Sequence, residues 1–179
     1  LSGGGEEYKI RKQLIENDLV EAIVILPRNL FYTTDISVTL WILNKNKKER
    51  TVELNNRERK YRNRENEILF IDLRQEGIPY EKKYVKFSDE DIEKVCNVYH
   101  GWQENNYNDI PEYCYSAKLE EVQQKDYSLV PSKYIEFINR DENIDFDEKM
   151  NNLKEEFTKL LKEEEASKEE LLNVFKELG

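Results

Sequence analysis

Two adjacent aromatic residues, Phe31 and Tyr32, are the side chains of this sequence that stand out as a candidate binding surface. They lie in the loop "LPRNLFYTTDI" (26–36), between two strongly apolar segments, where polar residues are usual. Aromatic rings at the end of a sheet offer a flat face for stacking rather than a group that makes or breaks bonds. The alternative is that Phe31 packs into the end of the sheet as part of the core, which would leave Tyr32 as the exposed ring.

Groups that could make or break bonds follow no recognisable pattern. Gly3–Gly5 has neither the preceding strand nor the spacing of a phosphate-binding loop. His100, the single histidine, is predicted to lie at the end of a helix. Cys96 and Cys114 lack metal-binding spacing and are predicted to be reduced thiols. The residues alone therefore predict no catalysis, and most Asp and Glu side chains are expected on solvated faces.

Two apolar segments rich in β-branched residues, 19–26 and 36–43, flank the aromatic loop. Near-continuous apolar runs of this length are typical of strands that are covered on both faces, as in α/β sheets. Because the connection between them is short, they are predicted to pair antiparallel at the edge of a sheet. A third strand is predicted at 67–73.

Helices are predicted where apolar residues recur at three- and four-residue spacing. The first follows the glycines and places Ile10, Leu14 and Ile15 on one side. Ser88, which precedes the acidic residues 89–91, is predicted to cap a second helix. Beyond it the predictions are a polar loop at 101–115, a short helix at 117–125 and an extended segment at 126–137.

Composition limits the function. The chain of 179 residues has 28 Lys+Arg against 38 Asp+Glu, a net charge of -10, so it is not expected to bind bare DNA on its own. The charge is uneven: residues 45–64 hold nine basic and three acidic side chains, whereas 141–179 hold six basic and thirteen acidic. No apolar run approaches the roughly 18 residues of a membrane span, and no signal peptide is recognised, so a soluble cytoplasmic protein is expected.

The basic segment, 44–66, is predicted to be an exposed loop or the tip of a hairpin. Its basic side chains either contact DNA phosphates or lie on a solvated loop without a ligand. The residues concerned are Arg57, Arg59, Lys60, Arg62 and Arg64.

The tail is predicted to contain two amphipathic helices with a break near Ala166. Ser167 and Glu170 have the spacing of a capping box that would begin the second helix. The apolar residues at helical spacing are Phe146, Met150, Leu153, Phe157, Leu160 and Leu161 in the first helix, and Leu171, Leu172, Phe175 and Leu178 in the second. The predicted domain organisation is an α/β part (1–80), a mixed helix and loop extension (81–140) and this helical tail (141–179).

The segment "GGGEEYKIRKQLIENDLVEAIVILPRNLFYTTDISVTLWILNKNK" resembles the C-terminal part of the catalytic domain of N6-adenine DNA methyltransferases. More specifically, it is similar to the modification (M) subunit of type I restriction–modification enzymes. The resemblance continues through "ILFIDLR", "FSDEDIEKV" and "DYSLVPSKYI" and covers nearly the whole chain. The motifs that carry it are Ile10–Arg11–Lys12, Leu14–Ile15–Glu16, Leu26–Pro27, Leu30–Phe31 and Asn44–Lys45.

The resemblance implies the C-terminal part of a Rossmann-like, S-adenosylmethionine-dependent methyltransferase domain, followed by a helical tail. The implied reaction is direct transfer of a methyl group from S-adenosylmethionine to adenine N6 in DNA. The family's Gly-rich cofactor turn and its Asn-Pro-Pro-Tyr/Phe motif do not occur in this sequence. We therefore expect a C-terminal portion of a longer protein, in which no cofactor-binding or catalytic residue can be assigned and which binds no cofactor alone.

The family also implies roles for the aromatic loop and the tail. Methylation of a base requires that it leave the duplex, and Phe31 occupies the position that stacks on the extruded adenine in the related enzymes. Tyr32 and Pro27 are expected to line the same target-base pocket. The implied partners are double-stranded DNA, a specificity subunit, a second M subunit and a restriction subunit. The residues predicted to contact partner subunits are Met150, Leu153, Phe157, Leu160, Leu171 and Phe175.

Two other functions fit the same residues. One is a non-catalytic interaction module that keeps the sheet edge and the tail but no active site. The other is a solitary methyltransferase with its own specificity domain.

Overall fold

The computed structural model describes residues 3–54, 57–138 and 146–177. The chain divides into two units, Leu1–Ile138 and Asn139–Gly179. The helices of the first unit are α1 (Gly5–Glu16), α2 (Asp89–Glu104) and α3 (Leu119–Gln124), and a 3-10 turn follows at Pro131–Lys133. Its strands are β1 (Val20–Ile25), β2 (Thr39–Leu43), β3 (Arg50–Leu54), β4 (Arg57–Tyr61), β5 (Glu67–Asp72), β6 (Ile78–Tyr80), β7 (Tyr84–Lys86) and β8 (Cys114–Lys118). The second unit contains α4 (Phe146–Glu177).

The central sheet has the strand order β2–β1–β5–β8. β1 runs parallel to β5 and antiparallel to β2, and β8 runs antiparallel to β5. The three predicted strands and the antiparallel pair at the sheet edge are therefore confirmed. The loop expected at 101–115 is shorter than predicted, because α2 extends to Glu104 and β8 begins at Cys114. Since β8 pairs with β5, the part of the chain after residue 80 contributes to the same sheet as the part before it.

Apolar residues fill both faces of β1 and β5, which are buried along almost their whole length. On one face, Ile23 and Phe70 pack with Ile15 of α1. On the other face, Leu69 packs with Trp102 of α2. The sheet is thus covered by helices on both faces, which explains the near-continuous apolar sequence of its central strands.

β2 is not covered on both faces, contrary to the prediction. Leu40, Trp41 and Leu43 are exposed, because β2 is the edge strand of the sheet within the described residues. An apolar run predicts a strand, but it does not show how many of the strand's faces are covered in a given chain.

α1 packs on the sheet through Leu14 and Ile15, as predicted, whereas Ile10 is 58% exposed. Arg11 is buried instead, and its Nε donates a hydrogen bond to the carbonyl oxygen of Tyr127 at 2.8 Å. The prediction that Ile10 lies on the packed side was wrong, because the hydrogen bond to Tyr127 directs Arg11 rather than Ile10 toward the protein.

α2 begins where the sequence predicts. The Ser88 hydroxyl accepts a hydrogen bond from the backbone N–H of Asp91 at 3.1 Å, and the Asp91 carboxylate accepts one from the backbone N–H of Ser88 at 2.8 Å. His100 lies near the end of this helix, Cys96 is exposed on it, and Cys114 is buried in β8.

The segment 126–137 is not simply extended. Asp126 and Tyr127 have φ angles of 55° and 50°, and Pro131–Lys133 form the 3-10 turn. The fixed φ of proline suits the first position of a helical turn, and this preference outweighs the extended tendency of the surrounding apolar residues.

The basic segment forms a hairpin in which β3 pairs antiparallel with β4. Lys47, which leads into it, is buried, and its Nζ donates to the carbonyl oxygens of Val20 at 3.2 Å and Glu67 at 2.7 Å. It also pairs with Asp18. Because Val20 and Glu67 begin β1 and β5, the hairpin is fastened at the amino ends of the two central strands.

α4 is one helix of 32 residues, so the predicted break near Ala166 is wrong. The segment contains no Gly or Pro. Its many Glu, Lys, Leu and Ala residues favour helix strongly enough that the helix continues past Ser167. An ion pair of 2.6 Å between Lys168 Nζ and Glu164 Oε1 spans the expected break. No helix in the described part of the chain is long and apolar enough to cross a membrane.

Candidate functional site

The carboxyl ends of β1 and β5 open onto a groove of about 660 Å³. The backbone N–H of Leu73 donates to the carbonyl oxygen of Ile25 at 2.8 Å, which holds the two strand ends side by side. Residues 27–29 after β1 and 74–77 after β5 line the groove. This edge is where ligands bind in open α/β sheets, because the connections after parallel strands diverge there.

Charge at this edge is largely paired. Arg74 Nη2 donates to Asp72 Oδ2 at 2.6 Å and its Nε donates to Oδ1 at 2.9 Å. The Asp72 carboxylate raises the pKa of the Arg74 guanidinium. Within the described residues, no cluster of three or more His, Cys, Asp or Glu side chains could hold a metal ion.

The aromatic loop places both of its rings outside the core. Phe31 is 44% exposed and Tyr32 is 68% exposed. Phe31 forms an isolated bridge with Thr34, and Arg28 Nε donates to the carbonyl oxygen of Asp35 at 2.9 Å, so the loop is closed by its own hydrogen bonds. Neither ring plugs the end of the sheet.

A second wall of the site comes from the hairpin formed by β6 and β7. The rings of Tyr32 and Tyr84 meet edge to face, with 4.7 Å between centroids and 65° between planes. The backbone N–H of Val85 donates to the carbonyl oxygen of Asn29 at 3.1 Å and joins this hairpin to the aromatic loop. Together they enclose a pocket of about 240 Å³, which is lined by Leu30, Tyr32, Tyr80, Tyr84, Val85, Lys86 and Phe87.

The three residues predicted to form one pocket are divided between two places. Tyr32 lines the smaller, aromatic pocket, whereas Pro27 is buried and lines the larger groove. Phe31 is in neither set of lining residues and presents its ring to solvent beside them. Tyr32 also raises the pKa of Tyr80, with a further contribution from Glu81, so the Tyr80 hydroxyl remains protonated at neutral pH.

Sequence reasoning missed the contribution of residues 78–86, "IPYEKKYVK". Tyr80 and Tyr84 are cross-strand partners in the β6–β7 hairpin and share one face of it. Lys86 Nζ lies 5.0 Å from the centre of the Tyr80 ring, and Lys83 Nζ lies 5.2 Å from that of Tyr84. Interleaved lysines and tyrosines are a signal for nucleic-acid contact, and this one was present in the sequence.

The basic residues of the β3–β4 segment are not near this pocket. β1 has 6 residues, so its amino end, where the segment is fastened, lies about 17 Å from its carboxyl end, where the aromatic loop begins. The four predicted DNA contacts whose side chains are described also have acidic partners. These pairs are Arg59–Glu104 at 3.5 Å, Lys60–Glu58 at 3.5 Å, Arg62–Glu67 at 2.7 Å and Arg64–Glu21 at 3.0 Å.

Arg62 and Arg64 pack against a buried residue of the core and are not free surface charges. The guanidinium carbons of Arg62 and Arg64 lie 5.1 and 5.7 Å from the centre of the buried Trp102 ring. Arg64 is fully buried, so a phosphate cannot reach it. The side chain of Arg57 lies outside those that the structure describes. Among the described members of the predicted set, Arg59 and Lys60 are the ones that remain accessible at this end of the sheet.

Known proteins similar to this chain are DNA methylases. A sequence profile described as N-6 DNA Methylase matches residues 1–143. The methylase subunit of the type I restriction enzyme HindI of Haemophilus influenzae is 39% identical over 176 residues, which are 97% of this chain and 35% of that protein. The MjaVIII methylase subunit of Methanocaldococcus jannaschii is 38% identical over 147 residues, 81% of this chain and 22% of that protein. The chain thus spans about a third of the length of the first relative and about a fifth of the second.

A solved structure is similar to much of this chain. The crystal structure of a type I restriction–modification methyltransferase subunit from Streptococcus thermophilus superposes with a TM-score of 0.61 at 29% sequence identity. The match covers 77% of this chain and 25% of that one. The mixed α/β architecture is therefore shared with that subunit.

Proposed function

The chain belongs to the N-6 DNA methylase family, and on that premise we propose that it is part of the methylase subunit of a type I restriction–modification enzyme. The proposed reaction is transfer of a methyl group from S-adenosylmethionine to the N6 atom of adenine in DNA. The cytoplasm, where the DNA substrate lies in prokaryotes, is the proposed location. The observation that carries this function is the exposed aromatic loop at the carboxyl ends of parallel strands in a chain of this family.

We propose that the complete subunit binds S-adenosylmethionine through residues other than those described, because the family's Gly-rich cofactor turn does not occur in this sequence. No residue of this chain is assigned to the cofactor.

What this chain supplies to the reaction is a place for the extruded base. The exposed faces of Phe31 and Tyr32 offer stacking worth roughly 1–3 kcal/mol per base, and Pro27 borders the groove beside them. Tyr80 lines the same pocket, and its ring adds to the aromatic surface there. The pocket of about 240 Å³ is lined largely by aromatic rings, which offer faces for contact with a bound base.

The proposed partners besides DNA are a specificity subunit, a second methylase subunit and a restriction subunit. α4 supports this proposal because Leu153, Phe157 and Leu160 are each more than half exposed on it, in line with Met150. An exposed apolar stripe of this length is expected to be buried against a partner helix. Leu171 and Phe175 would continue the stripe, but their side chains lie outside those that the structure describes.

The direct test is methylation of DNA by the complete subunit, produced together with its specificity subunit. Transfer of tritium from labelled S-adenosylmethionine, with N6-methyladenine identified by mass spectrometry, is the expected result. A folded assembly that binds its partner but methylates no DNA would instead support the non-catalytic interaction module.

A further inference from the structure

We propose that the β6–β7 hairpin binds the DNA backbone next to the extruded base, with Lys82, Lys83 and Lys86 contacting phosphates. This inference rests on the proposed function, because it assumes that DNA is the substrate held at the aromatic pocket. It assigns phosphate binding to a segment that is distinct from the basic β3–β4 segment.

The position of the hairpin supports this proposal. Ile78 lies opposite Lys86 in the hairpin, and Tyr80 lies opposite Tyr84, so these four side chains share one face. Tyr32 meets that face through its contact with Tyr84. Lys86 therefore lies on the same surface as the aromatic pocket and contributes to its lining.

The charges of the hairpin also support phosphate binding. Lys82, Lys83 and Lys86 are exposed, and in the described ranges none of them forms an ion pair. By contrast, Arg59, Lys60, Arg62 and Arg64 of the β3–β4 segment each have a carboxylate partner. Glu81, the acidic residue of the hairpin turn, interacts with the Tyr80 hydroxyl. In a chain with a net charge of -10, three unpaired lysines beside an aromatic pocket favour a polyanion over an acidic-faced protein.

The hairpin is also held in place by close packing. Gly77 precedes β6 with a φ of 94°, and a Cβ there would lie 2.6 Å from Cγ1 of Val85. The hairpin strands therefore pack closely on the turn that leads into them. With the hydrogen bond from Val85 to Asn29, this packing fixes the lysines relative to the aromatic loop. Lysines placed in this way bind phosphates without ordering a flexible segment first.

The experiment measures the salt dependence of DNA affinity for the complete methylase assembled with its specificity subunit. The probe is a fluorescein-labelled duplex of mixed sequence, titrated by anisotropy between about 50 and 200 mM KCl. The test variant carries Lys82→Gln, Lys83→Gln and Lys86→Gln. The control carries Lys9→Gln, Lys12→Gln and Lys118→Gln, the same change of charge on α1 and at the start of α3. A third variant replaces the three hairpin lysines with Arg.

Removal of each phosphate-binding lysine should reduce the slope of log affinity against log salt by about 0.9, so the slope of the test variant should be smaller than the parent slope by about 2.7. Over this salt range the affinity of the parent should fall by about 40-fold more than that of the test variant. The control and the Arg variant should keep the parent slope, and all variants should keep the parent melting temperature.

A test variant with the slope of the control would overturn the inference while leaving the proposed function intact, provided that the parent methylates DNA. Failure to assemble with the specificity subunit at unchanged DNA affinity would identify the hairpin as a protein contact and would also overturn it. A parent assembly that neither binds nor methylates DNA would refute the proposed function, and the inference would fall with it.

Discussion

The Nη2 atom of Arg64 lies 3.0 Å from Oε1 of Glu21, and both side chains are almost completely removed from solvent. The same carboxylate accepts hydrogen bonds from Gln103 Nε2 at 3.3 Å and Asn44 Nδ2 at 2.6 Å. This pair joins the segment after β4 to the start of β1. The most basic segment of the chain is therefore fixed to the fold by its own charges.

Removal of one member of this pair should strongly destabilise the first unit. Glu21→Ala leaves the Arg64 guanidinium buried without its carboxylate, which should lower the free energy of unfolding by about 3–5 kcal/mol. The exposed pair of Glu58 and Lys60 provides the matched control, and Glu58→Ala should cost less than about 1 kcal/mol. Urea denaturation followed by circular dichroism measures both. Equal, small decreases for the two variants would show that Arg64 finds water or another partner.

The aromatic loop should matter for catalysis and not for stability. Phe31→Ala and Tyr32→Ala in the complete enzyme should each weaken capture of the extruded adenine by roughly 1–3 kcal/mol, a decrease of about 5- to 150-fold in kcat/KM for DNA. Ile36→Ala is the control, because Ile36 is 64% exposed in the same loop but has no aromatic face. Phe31→Trp should be milder than Phe31→Ala, since a π face remains.

The readouts are methylation kinetics and the melting temperature, measured on the same preparations. If Phe31→Ala methylates at the parental rate, Phe31 has no part in binding the base and the stacking surface is that of Tyr32 alone. If both alanine variants do so, the pocket assignment is wrong.

α4 should be required for assembly. Leu153→Asp with Phe157→Asp places two charges in the apolar stripe and should abolish binding to the specificity subunit. Asn152→Asp with Lys159→Gln makes the same net change of charge on the opposite side of the helix and should leave assembly intact. Size-exclusion chromatography with light scattering distinguishes the two outcomes. An intact complex with the first variant would show that the stripe is not the contact surface.

The cap of α2 should give a defined pH dependence. Hydrogen bonds from the backbone N–H and the hydroxyl of Ser88 lower the pKa of the Asp91 carboxylate from its usual value of 3.8. A carboxylate with a depressed folded-state pKa stabilises the protein above its unfolded pKa, and this stabilisation disappears as the pH falls through the folded value. Asp91→Asn should therefore be less stable than the parent by a constant amount between about pH 5 and 7. The difference in the free energy of unfolding should shrink below about pH 4. Urea denaturation across this pH range measures it, and a difference that persists in acid would contradict the prediction.

The central strands and the start of α2 could be predicted because their signals are local. β1 and β5 are near-continuous apolar runs, and the helix cap formed by Ser88 and Asp91 lies within four consecutive residues. The position of Arg64 could not be predicted, since its burial depends on Glu21, which is 43 residues earlier in the chain. A run of arginines has the same sequence pattern whether or not acidic partners fold against it.

The candidate site was predictable only in part for the same reason. The sequence shows that Phe31 and Tyr32 lie in a loop, but the contact between Tyr32 and Tyr84 depends on a hairpin that follows more than forty residues later. The predicted break in α4 failed for a different reason. A capping box favours the start of a helix only locally. Here both flanking segments favour helix, and the i,i+4 ion pair of Glu164 and Lys168 spans the predicted break, so the helix continues.

The continuity of α4 has a mechanical consequence. A helix of 32 residues is a rod of about 48 Å, whereas two short helices with a hinge at Ser167 would move independently. A rotation of about 10° at one end of such a rod displaces the other end by about 8 Å. A subunit bound to one end of α4 can therefore convert a small rotation into a large displacement of the other end, because the helix has no hinge between its ends.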